Sequence, residues 1–160
     1  MLTNTRLYPA LLMLAGTGAL ATAYTAQYGY DLEPCILCLY QRVPFAIAAV
    51  LGIVGLWRPQ WLAGIFALAV ATFAINAGIA VYHVGVEQHW WASAVGCAGT
   101  LPTQVSPTDL MASLNTKPPK ACDEVDWTVL GISMASWNVV FSGGLAVASA
   151  YVLKARKWEH

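Results

Sequence analysis

Four long apolar segments, separated by more polar stretches, dominate the pattern of this chain. The pattern predicts helices at about residues 7–27, 40–57, 61–82 and 127–153. Each segment is close to the roughly 20 residues that a helix needs to cross a bilayer. The more polar segments 28–39 and 83–126 predict two loops on one side of the membrane. We therefore expect an all-α membrane protein, in which residues 1–160 form a single four-transmembrane-helix bundle with two exoplasmic loops.

The composition supports a chain embedded in lipid. Hydrophobic residues make up 58% of the sequence and charged residues only 10%, whereas charged residues make up about 25% of soluble domains. Such a chain cannot cover a water-exposed surface. The net charge of zero says nothing about nucleic acid, but the sequence has no basic patch or motif that would bind it, so nucleic-acid binding is not expected.

The first apolar segment admits two interpretations. Arg6, the apolar core and Ala19-Leu20-Ala21 resemble a signal peptide with its cleavage site. However, the apolar run continues to Tyr24, which is long enough to span a bilayer. The length favours a retained helix.

The distribution of basic residues predicts the orientation of the bundle. Five of them fall on the side of the chain termini: Arg6, Arg58, Lys154, Arg156 and Lys157. Cytoplasmic loops carry an excess of Lys and Arg, so both termini are predicted to be cytoplasmic. All the cysteines then lie in segments that face away from the cytoplasm.

Two further local features carry predictions. Asn76 interrupts the third apolar segment, and a membrane-buried Asn usually forms a hydrogen bond to a neighbouring helix, so we expect it to have a packing role. Within the second loop, Ser106-Pro107-Thr108-Asp109 is typical of a helix start.

A Cys-x-x-Cys pair, Cys35 and Cys38, lies just before the second apolar segment. Arg42 is four residues after Cys38, so on a helix the two share a face. A helix N-terminus and a guanidinium both favour the thiolate form of a cysteine. The pair therefore predicts a reactive dithiol, although two packed cysteines that cap a helix remain an alternative.

Three roles are open for the four cysteines, which also include Cys97 and Cys122. They could be structural disulfides, a four-thiolate metal site, or a relay that passes disulfides between pairs. Structural zinc sites normally have two short-spaced pairs and this chain has one, so no metal is expected. The ring that Cys35 and Cys38 would close is too small to stabilise the fold much, which favours redox exchange.

A redox relay needs an electron acceptor. The sequence lacks a haem-attachment motif, iron–sulfur spacing and a dinucleotide-binding loop. A lipid-soluble quinone fits best, and Arg42 would stabilise negative charge on it or on a facing thiolate. His83 could donate a hydrogen bond to a quinone carbonyl or could be an ordinary interfacial histidine, and both readings stay open.

The chain resembles the disulfide bond formation protein B (DsbB) family, which reoxidises the periplasmic thiol oxidase DsbA. The resemblance covers essentially the whole chain. It rests on Pro34-Cys35-x-x-Cys38-x-Tyr40-x-Arg42, on the second loop with Cys97 and Cys122, on Tyr82-His83, and on Gly131-Ile132-Ser133-Met134-Ala135-Ser136-Trp137.

The resemblance implies a role for each cysteine. The reduced partner would attack Cys97, and Cys122 would leave and exchange with Cys35. Cys38 would be the quinone-facing thiolate, with Arg42 as its electrostatic partner. His83 and Met134 match positions near the quinone site of the family.

The resemblance also implies a setting: a multi-pass protein of the bacterial inner membrane with periplasmic cysteine loops. Its cofactor would be ubiquinone or menaquinone, and its partner a DsbA-like thioredoxin-fold oxidase. One alternative is a vitamin K epoxide reductase-like protein, in which the short cysteine pair is expected later in the chain. Another is a non-enzymatic scaffold of four spans with disulfide-stapled loops.

Overall fold

The computed structural model describes residues 2–94, 120–125 and 127–155, with side chains from residue 6 onward. Cys97 and the helix start predicted at Ser106 lie outside the described residues.

Four long helices form the described part of the fold: α1 (Leu2–Gly29), α2 (Ile36–Trp57), α3 (Leu62–Glu87) and α4 (Met134–Ala155). A short 3-10 turn, Pro59–Trp61, joins α2 to α3. All four helices are long and apolar enough to cross a membrane. The prediction of an all-α membrane bundle is confirmed.

The helices pack in chain order around a largely aromatic and aliphatic core. Helix α1 packs on α2, α2 on α3, and α3 on α4. Phe45 of α2 is central, because its ring centroid lies 6.0 Å from that of Phe73 on α3 and 5.9 Å from that of Phe141 on α4. Asn76, which is fully buried, donates from Nδ2 to Ser142 Oγ of α4 at 2.8 Å. The predicted interhelical hydrogen bond of Asn76 is confirmed.

Helices α1 and α2 approach closely through glycines. A Cβ atom on Gly16 would lie 2.5 Å from the carbonyl oxygen of Phe45 and 2.7 Å from the amide nitrogen of Ala49. No real Cβ occupies such a position, so only glycine allows this approach. Small residues at helix interfaces commonly serve this purpose in membranes.

Helix α2 begins four residues before the predicted start at residue 40. Cys35 is its N-cap, with extended backbone angles, and its Sγ accepts a hydrogen bond from the backbone N–H of Cys38 at 3.3 Å. The cap satisfies an amide that the first turn would otherwise leave unpaired. Cys38 therefore lies in the first turn of α2 rather than in a loop.

Helix α4 begins at Met134, not at about residue 127 as the apolar pattern predicted. Residues 128–133 instead form a two-stranded antiparallel hairpin, β1 (Thr128–Val129) and β2 (Ile132–Ser133). Its turn residues, Leu130 and Gly131, have φ angles of 56° and 76°. Positive φ at both turn positions is what the type I′ turn of a two-residue hairpin requires.

Candidate active site

The two cysteines of the Cys-x-x-Cys motif lie side by side at the start of α2. Both are free thiols, and their Sγ atoms are 3.0 Å apart. Cys35 is 5% exposed, and Cys38 is partly buried. The pair is thus in its dithiol form with the two sulfurs in hydrogen-bond contact.

The surroundings of Cys35 favour its thiolate. The pKa of Cys35 is lowered from the usual 9.0 to about 4, chiefly because the Cys38 thiol donates a hydrogen bond to its sulfur. Burial opposes this effect, and His83, whose Nε2 lies 3.6 Å from Cys35 Sγ, supports it. The backbone N–H of Cys38 adds a further hydrogen bond. Sequence reasoning favoured the thiolate of Cys38 because of Arg42, whereas in this dithiol the hydrogen bonds converge on Cys35.

Arg42 is held by helix α1. Its Nη1 donates to Oε1 of Gln27 at 2.6 Å, and its guanidinium carbon lies 5.0 Å from the ring centroid of Tyr24. The cation–π contact and the hydrogen bond fix the guanidinium in place. Neither α1 residue was identified from the sequence, because no motif marks it and the contacts depend on the packing of α1 against α2.

His83 lies in the last turns of α3 and is 3% exposed. Its Nε2 faces Cys35, and its Nδ1 lies 3.4 Å from Nε2 of Gln41. Glu87, one turn later, has its Oε1 3.9 Å from His83 Nε2 and accepts a hydrogen bond from the Ser133 hydroxyl at 2.6 Å. These contacts tie the end of α3 to the hairpin that precedes α4.

A cavity of about 530 Å³ opens beside the cysteine pair. Most of its wall is apolar and comes from α1, α2 and α4. The cavity is lined by all four residues that the sequence analysis predicts to bind the cofactor: Cys38, Arg42, His83 and Met134. The tertiary structure therefore brings residues from three helices around one space, with the polar groups gathered near the cysteines.

Cys122 joins the same region from the segment before the hairpin. It is 1% exposed and disulfide-bonded. Together with Cys35, Leu37 and Val86 it forms one buried cluster. The one remaining cysteine of the chain, Cys97, lies outside the described residues.

These features define a class of protein: a membrane helical bundle with a reactive dithiol that lies next to a third, disulfide-bonded cysteine and an apolar cavity. Comparison with known proteins gives the family. Residues 5–152 match the family described as disulfide bond formation protein DsbB. The chain belongs to the DsbB family.

Individual relatives cover most of the chain. The chain is 34% identical over 152 residues to disulfide bond formation protein B of Xanthomonas euvesicatoria pv. vesicatoria (strain 85-10). The aligned region covers 90% of this chain and 88% of that protein. It is 32% identical over 143 residues to the protein of the same name from Xylella fastidiosa (strain 9a5c), covering 85% and 82% of the two chains. The fold, the cysteines and the family agree on a multi-pass bacterial membrane oxidoreductase that generates disulfides.

Proposed function

We propose that this protein is a protein-thiol:quinone oxidoreductase. It takes electrons from a reduced, DsbA-like thioredoxin-fold oxidase and passes them to ubiquinone or menaquinone. The observation that carries the proposal is the meeting of Cys38, Arg42, His83 and Met134 around one apolar cavity of about 530 Å³. That volume is within the range of small-molecule sites, about 300–1,000 Å³, and an apolar wall with few polar groups suits a quinone.

Electrons enter through the loop disulfide, which we assign to Cys97 and Cys122. The reduced partner attacks Cys97, and Cys122 leaves as a thiolate. Cys122 then attacks Cys35 of the oxidised Cys35–Cys38 pair, so that the Cys122–Cys35 bond forms and Cys38 is released. The common buried cluster of Cys122 and Cys35 supports this exchange.

A second exchange reduces the pair completely. The thiolate of Cys97, freed when the partner closes its own disulfide, attacks Cys122 and releases Cys35. A leaving thiolate departs faster when its pKa is low. The pKa of Cys35, lowered to about 4 in the dithiol, therefore favours the flow of electrons into the pair.

Electrons leave through Cys38. Closing the Cys35–Cys38 disulfide from its thiolate–thiol form releases two electrons and one proton; a quinone held in the cavity would accept both electrons with that proton and a second proton from solvent. Arg42, held by Gln27 and Tyr24, supplies positive charge where the quinone oxygen becomes negative. His83 lines the same cavity, and its Nε2, which faces Cys35 in the dithiol, would be the group for a quinone carbonyl once Cys35 is no longer a thiolate.

The direction of flow requires a strong oxidant. A DsbA-like partner has a reduction potential of about −120 mV, whereas the reduction potentials of ordinary structural disulfides lie below about −300 mV. Structural disulfides of that kind could not oxidise the partner. Either the cysteine pairs are unusually oxidising, or their reoxidation by the quinone drives the reaction. A redox titration that gave the reduction potentials of ordinary structural disulfides with quinone bound would contradict the proposal.

We assign the cysteine loops to the periplasm and the termini to the cytoplasm, within the inner membrane. The positions of Arg6, Arg58 and Lys154 support this orientation. The periplasm is also the compartment in which disulfides persist.

The decisive experiment is quinone reduction by the purified protein in detergent, with a reduced DsbA-like oxidase as the electron donor. Turnover by the wild type that is lost in Cys38→Ser is expected. Circular dichroism shows whether both proteins keep their helices. No turnover with either quinone by a folded wild type would instead favour a scaffold with stapled loops.

A further inference from the structure

A chain of polar side chains runs through the apolar bundle and ends at Cys35. Nδ2 of Asn76 donates to Ser142 Oγ at 2.8 Å, and the Ser142 hydroxyl donates to Asn138 Oδ1 at 2.8 Å. Nδ2 of Asn138 in turn donates to Gln41 Oε1 at 2.7 Å. The chain continues from Gln41 Nε2 to His83 Nδ1 at 3.4 Å, and from His83 Nε2 to Cys35 Sγ at 3.6 Å.

The hydrogen bonds of this chain point in one direction. A side-chain amide has a donor end and an acceptor end, so a partner at one end dictates what the other end offers. Because Gln41 Oε1 accepts from Asn138, its NH2 group faces Nδ1 of His83. A neutral imidazole that faces a donor at Nδ1 accepts there and carries its proton on Nε2.

We propose that Gln41 and Asn138 are positioning residues that fix His83 in the Nε2–H tautomer and so direct an N–H group at the sulfur of Cys35. The inference rests on the proposed function, since it explains how Cys35 becomes an efficient leaving thiolate. Neither residue touches the reacting sulfur atoms. Both act through His83, and Ser142 and Asn76 hold Asn138 in the required orientation.

The side chains of this hydrogen-bonded series are largely buried, so the direction of their hydrogen bonds affects the tautomer of His83. Gln41 is 6% exposed, and Asn76 and Ser142 are fully buried. In an apolar interior an unpaired polar group is costly, so Nδ2 of Asn76, the hydroxyl of Ser142 and both ends of the Gln41 amide keep their partners, whereas Oδ1 of Asn76 has none among the described residues. Reversing one amide would set two donors or two acceptors against each other, and the preferred tautomer of His83 therefore depends on residues of α4 that are far from it in sequence.

Several ionisable groups surround Cys35 and His83 and enter any titration. They line the same cavity and come from α2, α3 and the segment before the hairpin: Cys38, Arg42, Glu87, Lys120 and Glu124. Glu87 is the closest carboxylate to the imidazole, with Oε1 3.9 Å from Nε2. An Nε2–H group also suits this carboxylate, which can only accept a hydrogen bond while it is ionised.

The same tautomer removes His83 as a metal ligand. The sulfurs of Cys35 and Cys38 and a ring nitrogen of His83 lie within 4.8 Å of one another, close enough for three ligands of one ion. A metal needs the lone pair of the ring nitrogen that it binds, and the other nitrogen then donates its N–H to an acceptor. Gln41 presents a donor to Nδ1, so it opposes metal binding through Nε2.

The direct test is nitrogen NMR of isotope-labelled histidine in the reduced protein. The chain has three histidines, and comparison with His83→Gln assigns the signal. We expect a proton on Nε2 in the wild type, loss of that preference in Asn138→Leu, and a proton on Nδ1 in Gln41→Glu, whose carboxylate accepts from it. Thr72→Val, which removes another buried hydroxyl of the bundle, is the matched control and should keep the wild-type tautomer.

Two further readouts separate a positioning role from a structural one. Asn138→Leu should raise the pKa of Cys35 by about one unit. At a fixed pH below the wild-type pKa, this lowers the fraction of thiolate about tenfold. Reduced Gln41→Glu should bind Co²⁺ at least about tenfold more tightly than the reduced wild type, through the freed Nε2.

Three results would overturn the inference: a proton on Nδ1 in the wild type, a tautomer that ignores the substitutions, or a pKa of Cys35 that is the same in Asn138→Leu and the wild type. None of these measurements uses quinone or the partner protein. The turnover assay described above tests the proposed function separately.

Discussion

Replacing Cys38 by alanine should raise the pKa of Cys35. The two sulfurs are 3.0 Å apart, and once Cys35 is a thiolate the Cys38 thiol donates the hydrogen bond between them, which is the largest cause of the lowered pKa. Alanine removes the thiol donor but keeps the backbone N–H of residue 38, which donates to the sulfur of the N-cap residue Cys35. Serine at the same position keeps an O–H donor, which makes Cys38→Ser the matched control.

The size of the effect follows from the strength of the bond. A hydrogen bond to a charged group contributes about 1.5–3 kcal/mol. At about 1.4 kcal/mol for each pKa unit, its loss should raise the pKa of Cys35 by about one to two units. The remaining contacts, from His83 and the backbone N–H, should keep the value below the usual 9.0.

The sign of the linkage also predicts a dependence of stability on pH. The folded dithiol holds Cys35 as a thiolate above about pH 4, whereas an unfolded chain does so only near its usual 9.0. This contribution to the free energy of unfolding is therefore fully present above the unfolded pKa, declines as the pH falls, and is lost below about 4. Cys38→Ala should flatten that dependence.

The assay is the ultraviolet absorbance of the thiolate as a function of pH. The loop cysteines are replaced by serine so that they do not contribute, and a protein that also carries Cys35→Ser provides the blank. An alanine variant that titrates like the parent, or a serine variant that shifts as far as alanine, would show that the Cys38 hydrogen bond does not control the thiolate of Cys35.

Three other substitutions test separate parts of the molecule. Arg42→Ala should raise the KM for quinone by about 10- to 100-fold, the loss of one hydrogen bond to a charged group, whereas Arg58→Ala, at the opposite end of α2, should leave it unchanged. Gly16→Ala should destabilise the α1–α2 contact by about 1–3 kcal/mol and lower Tm, and Gly18→Ala, with no atom within 4 Å of its added Cβ, should not; equal Tm values would refute the close approach. Cys122→Ser leaves Cys97 as a free thiol, which should attack the disulfide of an oxidised partner and hold it as a mixed disulfide visible on a non-reducing gel, and absence of this adduct would move the entry point to another cysteine.

Local chemistry made the Cys-x-x-Cys pair and Arg42 recognisable from the sequence. Spacing alone put Cys38 and Arg42 on one helical face, and both line the cavity in the folded chain. The same reasoning could not identify Gln27 or Tyr24, which orient Arg42. Their side chains become relevant only because glycine allows α1 to pack closely on α2.

Helix boundaries also show which features the sequence predicts and which depend on the folded chain. The apolar runs located the four spans, because the need to bury or solvate each segment is present in the residues themselves. The start of α2 depended on a side-chain cap from Cys35, and the start of α4 on a hairpin with two residues at positive φ. Neither the cap nor the hairpin turn changes the hydrophobicity of its segment, so the apolar pattern does not predict them.

The sequence by itself determined a four-helix membrane bundle with a reactive cysteine pair, since hydropathy and short spacing are properties of neighbouring residues. Only the tertiary structure decided which sulfur receives the hydrogen bonds and which residues control the imidazole beside it. Gln41 and Asn138 are 97 positions apart, and nothing in either segment indicates that their amides meet. Their hydrogen bond exists because helix packing brings α2 and α4 together, where the buried amide of Gln41 needs a partner.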